Sequence, residues 1–145
     1  MKVPQYVTVA EVKRVCKELG LRDWTKIKDP KVTAKEAGII LKIVNVKKIG
    51  IALEDFRMGL EVELEHGTRF ADANVTNNHP ILTGMIVLAH MKETLDYYER
   101  LDVAEIEGDL LKAVLAKKLD KIEAKYKKLI KAQAALNKVV SAQLK

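Results

Sequence analysis

Two of the three histidines in this chain stand three residues from a glutamate. Glu63-Leu64-Glu65-His66 is a Glu-x-x-His, and His90-Met91-Lys92-Glu93 is a His-x-x-Glu. On a helix that spacing brings each imidazole within reach of its carboxylate. Two such pairs on facing helices are how helical bundles build carboxylate–imidazole metal sites. The set Glu63, His66, His90 and Glu93 would suit iron, manganese or zinc. His79 is not expected among the ligands. Two observations weigh against the metal. A dinuclear carboxylate site draws about six ligands from four helices, and only two helices here carry the motif. His66 also lies about 125° round from the centre of its helix's apolar stripe, at about 100° per residue. The preferred reading is a buried polar network. In it His90 bonds a carboxylate or the Asn-rich segment that precedes its helix, and the Tyr97 or Tyr98 hydroxyl completes the set. A metal-free His–Glu acid–base pair is the third reading. No nucleophile motif, P-loop or dinucleotide fingerprint is present, so no catalytic or cofactor-binding residue is assigned and a non-enzymatic role is favoured.

The elements that must position these residues read as helices. Thr8-Val9-Ala10-Glu11 is a capping box, and Val9, Val12, Cys16 and Leu19 recur at helical spacing up to a stop at Gly20. The spacing predicts a first helix near 9–19. Leu21 to Val32 is a loop with Trp24 as its packed anchor and Asp29-Pro30 as a turn. A second capping box, Thr33-Ala34-Lys35-Glu36, opens a helix near 34–46 with Ala37, Ile40, Leu41 and Val44 on its stripe. A third helix is predicted over 52–66. Leu53, Phe56, Leu60 and Leu64 are buried on it, and Gly67 ends it. The run Asn74-Val75-Thr76-Asn77-Asn78 is too polar to bury without specific partners, and a loop this long is often functional. Asn78 or His79 then caps a fourth helix with Pro80 at its first position, running to about Leu101. Thr83, Ile86, Val87, His90, Thr94, Tyr97 and Leu101 line one face. From about Asp109 a Lys/Ala/Leu-rich helix continues to the end. Leu115, Leu119, Ile122, Tyr126, Leu129, Gln133, Leu136 and Val140 follow a 4,3 spacing, a heptad seam with one polar member. A helix of about 33 residues would be about 50 Å long. That length asks for a partner beyond the small core. The fold class expected is therefore all-α: about four helices over residues 1–108, then a long basic amphipathic helix over 109–145.

At Phe56-Arg57-Met58-Gly59-Leu60-Glu61-Val62-Glu63-Leu64-Glu65-His66-Gly67 the sequence resembles an uncharacterised domain-of-unknown-function family. Its members occur in bacteria and in tailed-phage and metagenomic viral genomes. The resemblance continues through Asn74-Val75-Thr76-Asn77, Thr83-Gly84, Leu88-Ala89-His90-Met91-Lys92-Glu93 and Tyr97-Tyr98, covering about residues 50–101. Residues 1–45 and 110–145 show none. At His79 the chain departs from the family, which tends to an acidic residue before the proline, so no ligand role carries over to that position. The resemblance implies a helical fold and a bacterial or viral setting, but no reaction.

Composition bounds the remaining classes. Of the 145 residues 48% are hydrophobic, enough to bury one core. No run of about 18 apolar residues offers a membrane span, and Met1-Lys2-Val3-Pro4-Gln5 lacks a signal-peptide h-region. The single Cys16 falls in the first helix's apolar stripe and reads as a core residue, which fits a cytoplasmic or virion-interior setting. The net charge of +6 conceals basic, acidic and basic blocks with boundaries near residues 53 and 110. Such blocks favour docking of the ends on the middle, within one copy or between copies. Val32 to Leu41 faintly resembles the first helix of a helix-turn-helix. The next helix is acidic rather than basic, which leaves only nonspecific phosphate contact by the C-terminal lysines. The favoured function is a structural or interaction protein, a homo-oligomer or a partner of another structural protein, plausible in a phage virion. Its interface is Leu115, Leu119, Ile122, Tyr126, Leu129, Leu136 and Val140.

Overall fold

A computed structural model describes residues 6–144. The reading made on residues 1–5, the missing h-region, lies outside the described residues. The protein is all-helical, with no strand among those residues. The order is α1 (Val9–Glu18), a 3-10 turn (Trp24–Lys26), α2 (Ala34–Val44), α3 (Leu53–Arg69), a second 3-10 turn (Ala71–Ala73), α4 (Pro80–Glu93), α5 (Tyr97–Leu115) and α6 (Leu119–Gln143). The chain packs as two compact units, one ending at Lys92 and the other beginning at Glu93. No break occurs at the boundary expected between 108 and 109, because α5 runs straight through it. No described helix is long and apolar enough to cross a membrane.

In the first unit both threonines cap as the sequence implies, but only Thr33 has the full reciprocal box, because the Glu11 carboxylate holds Arg14 instead. Thr8 Oγ1 accepts from Glu11 N, and Thr33 Oγ1 accepts from Glu36 N. Gly20 adopts φ +65° and closes α1, with Leu21 N donating to Cys16 O and Gly20 N to Lys17 O. Val12, Cys16, Trp24, Ala37, Ile40, Phe56, Leu60 and Leu64 are buried, whereas Val9 and Leu53 at the helix starts stay exposed. Burial raises the Cys16 thiol pKa, which keeps it protonated and inert.

Glu36 does more than complete a capping box. It is buried and accepts from Arg22 N, Nε and Nη2, from Trp24 Nε1, and from the Thr33 amide and hydroxyl. One carboxylate thus ties the loop after α1 to the start of α2. A second acidic anchor, Glu61, accepts from Lys31 Nζ, Val32 N and Arg57 Nη1. The basic first block therefore meets the acidic middle block within one copy of the chain.

Gly84 lets α4 approach α2. A Cβ placed there would lie 2.4 Å from Ile40 Cγ2, and Ile40 is fully buried and has nowhere to retreat. Gly84→Ala should therefore overpack this contact and cost about 1–3 kcal/mol, measured by urea denaturation.

The second unit departs most from expectation. The predicted fourth helix does not reach Leu101; it stops at Glu93, and α5 begins at Tyr97. Asp96, fully buried at the new helix start, takes both fork nitrogens of Arg100 at 2.9 and 2.8 Å and is bonded by the Thr94 hydroxyl. The long C-terminal helix is present over Leu119–Gln143, but it does not run unbroken from Asp109 or through Leu115. Lys117 adopts φ +53°, Lys118 N donates to Ala113 O and Lys117 N to Val114 O. These two bonds form a Schellman closure with lysine where glycine is usual. The chain then turns back, α6 packs on α5, and Asp109 Oδ2 meets Lys125 Nζ at 2.5 Å. The expected seam is divided by this fold. Leu129 is buried, and Ile122, Leu136 and Val140 are partly buried. Leu115, Leu119 and Tyr126 are 74%, 79% and 56% exposed, and Gln133 is exposed. The buried part of the seam needs no second chain, because α5 is within reach once the helix folds back.

Candidate functional site

Helix α3 presents Glu63 and His66 one turn apart, and α4 brings His90 to the same carboxylate. Glu63 Oε1 lies 3.2 Å from His90 Nδ1, and Glu63 Oε2 lies 3.8 Å from His66 Nδ1. The Glu63 side chain is 14% exposed, His90 27% and His66 50%. The expected packing of these two helices around a half-buried, side-chain-bonded His90 is thus present. Glu93 is the exposed last residue of α4. Among the described residues no three His, Cys, Asp or Glu side chains form a group shaped to hold a metal ion. The arrangement is a carboxylate set between two imidazoles, in which Glu63 orients His90 through Nδ1.

A cavity of about 250 Å³ opens on this carboxylate. Glu63 and His66 form one side of it, and the connection between α3 and α4 forms the other through Phe70, Asn74 and Thr76. Phe70 lies stacked near His66, with ring centroids 6.5 Å apart. The Asn-rich connection is not loose. Asn74 Nδ2 donates to Gly67 O at 3.0 Å and to Asn78 Oδ1 at 2.8 Å, and Thr76 Oγ1 donates to Asn74 Oδ1 at 3.3 Å. Asn77 Nδ2 reaches Val7 O at 2.5 Å. Asn77 and Asn78 both take left-handed backbone, φ +49° and +60°, which asparagine tolerates better than most residues.

Gly67 does not end its helix, as its type suggested. Helix α3 continues to Arg69, and a Cβ on residue 67 would lie 2.1 Å from Asn78 Oδ1 and 3.0 Å from Asn74 Nδ2. The glycine marks where the connection lies down on the helix. His79 serves the same connection: its Nδ1 accepts from Ile81 N and Leu82 N at 3.2 and 3.3 Å and so caps α4. Burial pushes its pKa below the usual histidine range, partly countered by Glu11. A neutral imidazole is what this cap requires, which accounts for His79 without a ligand role.

Sequence reasoning named Glu63, His66 and His90 and the polar connection. It missed Phe70, Val75 and Ile86 as cavity walls. Phe70 and Val75 are exposed apolar residues outside any helical stripe, and that irregularity was the available signal.

The chain belongs to a family described as Protein of unknown function (DUF5661), whose family model matches residues 12–107. The match extends well before residue 50, where the resemblance in sequence began, and takes in α1 from Val12 and all of α2. No curated protein and no solved structure matches the chain.

Proposed function

We propose that this DUF5661 protein is a non-enzymatic helical interaction protein that self-associates through its C-terminal hairpin, the kind of assembly role a virion component would have. One observation carries the reading. Leu111, Leu115, Leu119, Tyr126 and Ile130 are 59%, 74%, 79%, 56% and 54% exposed around the turn and along α6. Leu119, Tyr126 and Ile130 fall within about 40° of one another on α6 at about 100° per residue. Lys117, Lys118, Lys121, Lys127 and Lys128 are exposed among them. Large apolar side chains rimmed by charge mark a protein contact surface.

Charge selects a second copy as the occupant. Helix α5 carries Glu99, Asp102, Glu105, Glu107 and Asp109 against Arg100 and Lys112, whereas α6 carries six lysines against Asp120 and Glu123. Two hairpins packed antiparallel would set each basic α6 beside the other's acidic α5. Nucleic acid competes for the same lysines, but the acid-rich α5 beside them works against a polyanion.

Sedimentation across a wide concentration range tests the reading. The wild type should self-associate, more weakly at high salt because exposed charge pairs are screened. Leu119→Asp should be monomeric with unchanged helicity. Leu129→Asp would unfold the hairpin instead, since Leu129 is buried. A wild type that is monomeric at every concentration would end the proposal.

A further inference from the structure

A second cavity, of about 400 Å³, lies at the turn end of the hairpin. Asp109, Lys112, Ala113 and Ala116 line it from the end of α5, a single face at three- and four-residue spacing. Lys118, Lys121 and Lys125 line it from the start of α6, again on one face. The left-handed turn at Lys117 brings the two stripes together, with Lys118 N donating to Ala113 O. The alanines are small and leave the space between the charges open. Four lysines thus face one aspartate. Asp109 meets Lys125 Nζ at 2.5 Å and Lys112 Nζ at 3.3 Å, and these bonds hold its carboxyl below the usual carboxylate range. It offsets one positive charge of the four. Lys118 and Lys121 are exposed, and among the described residues the lysine ion pairs of α6 are those of Lys125 and Lys127. Asp120, beside Lys121 in the chain, does not line the cavity. Cations held this close repel one another, and an anion between them relieves that repulsion. The remaining acids of α5, Glu99, Asp102, Glu105 and Glu107, also lie outside the lining, so a compact anion avoids the repulsion that a long one meets. The lining holds no aromatic ring and no large apolar side chain. It can therefore recognise charge but not a base or an apolar body. Lys121 and Lys125 lie about 120–160° round α6 from Leu119, at about 100° per residue. The cavity is thus on another side of the helix from the proposed contact surface and does not depend on self-association.

We propose that this cavity binds a compact polyanion, a short run of linked phosphoryl groups. Lys118 and Lys121 make the new charge-assisted bonds, and Lys112 and Lys125, shared with Asp109, complete the positive rim. The volume of about 400 Å³ is that of a small-molecule pocket and admits several linked groups rather than a lone ion.

Calorimetric titration of the full chain at fixed, low ionic strength tests this with four probes: tripolyphosphate, orthophosphate, ATP and a short single-stranded oligonucleotide. Tripolyphosphate should bind saturably, one per chain. Orthophosphate should bind at least about ten-fold more weakly, because it engages fewer lysines. ATP should bind no more tightly than tripolyphosphate, because the lining offers nothing to its base. The double variant Lys118→Ala, Lys121→Ala removes exposed lysines outside the described ion pairs, so the hairpin should keep its helicity while tripolyphosphate affinity falls about 10–100-fold. The double variant Lys128→Ala, Lys131→Ala removes the same charge from α6 outside the cavity and should leave the affinity unchanged. The order of the probes on the wild type is a test in its own right, whatever the variants do. No saturable binding, orthophosphate equal to tripolyphosphate, tighter binding of ATP or of the oligonucleotide, or the same loss in both double variants would each overturn the proposal.

Discussion

Glu36→Ala should be among the most destabilising single changes in the chain, costing about 3–5 kcal/mol, the range seen when one partner of a buried charge network is removed. The carboxylate accepts from Arg22, Trp24 and Thr33, and its loss leaves the indole N–H of a fully buried tryptophan without its acceptor. Burial by itself would raise the Glu36 pKa, but the bonds from Arg22, Thr33 and Trp24 outweigh it and hold the group at about 2, against an ordinary value of 4.5. The sign of the pH dependence follows. The folded state binds the proton less readily than the unfolded state, so the stabilisation is fully present above pH 4.5 and is lost as pH falls through about 2. The difference amounts to about 3 kcal/mol. Urea unfolding of the wild type and Glu36→Gln from pH 7 to pH 2 measures it. The wild-type curve should fall steeply over that window and the Glu36→Gln curve should be flatter. Parallel curves would show that Glu36 is not the group responsible.

Gly67→Ala should destabilise by about 2–3 kcal/mol, against the usual direction for a helix interior. In an open helical position alanine gains up to about 1 kcal/mol over glycine. Here the new methyl group would lie 2.1 Å from Asn78 Oδ1 and force it off Asn74 Nδ2. The cost combines overpacking with a lost hydrogen bond. Gly108→Ala is the matched control. It lies inside α5, nothing stands within 4 Å of its added Cβ, and it should stabilise. Opposite signs for the two substitutions, read from denaturant midpoints, would establish that the connection is docked on α3. Two stabilising substitutions would mean that the connection is not held against the helix.

Much of this protein is determined locally. The two capping residues, the stop at Gly20 and the stripes of α1, α2 and α3 are set by interactions within a few residues, and the structure reproduces them within about three positions at each end. The adjacency of Glu63 and His66 follows from helix pitch alone, and the joining of His90 to them follows from the apolar face that carries it. What local pattern could not decide were the two places where one apparent helix became two. At residues 94–96 the break carries Asp96, fully buried and paired with Arg100 one turn further on, and it is the burial of that carboxylate that no glycine or proline announces. At residues 116–118 it rests on a lysine in left-handed backbone, a conformation disfavoured by about 1–2 kcal/mol outside glycine. Only the packing of α6 on α5 can offset that cost. The seam therefore reads as a heptad in sequence and divides into a buried and an exposed part in the fold. Gly67 shows the same division: its type suggests a helix end, and only the approach of Asn74 and Asn78 makes it a contact point inside the helix. Periodicity records which residues seek burial, whereas the partner that covers them depends on chain reversals whose energy lies in tertiary contacts.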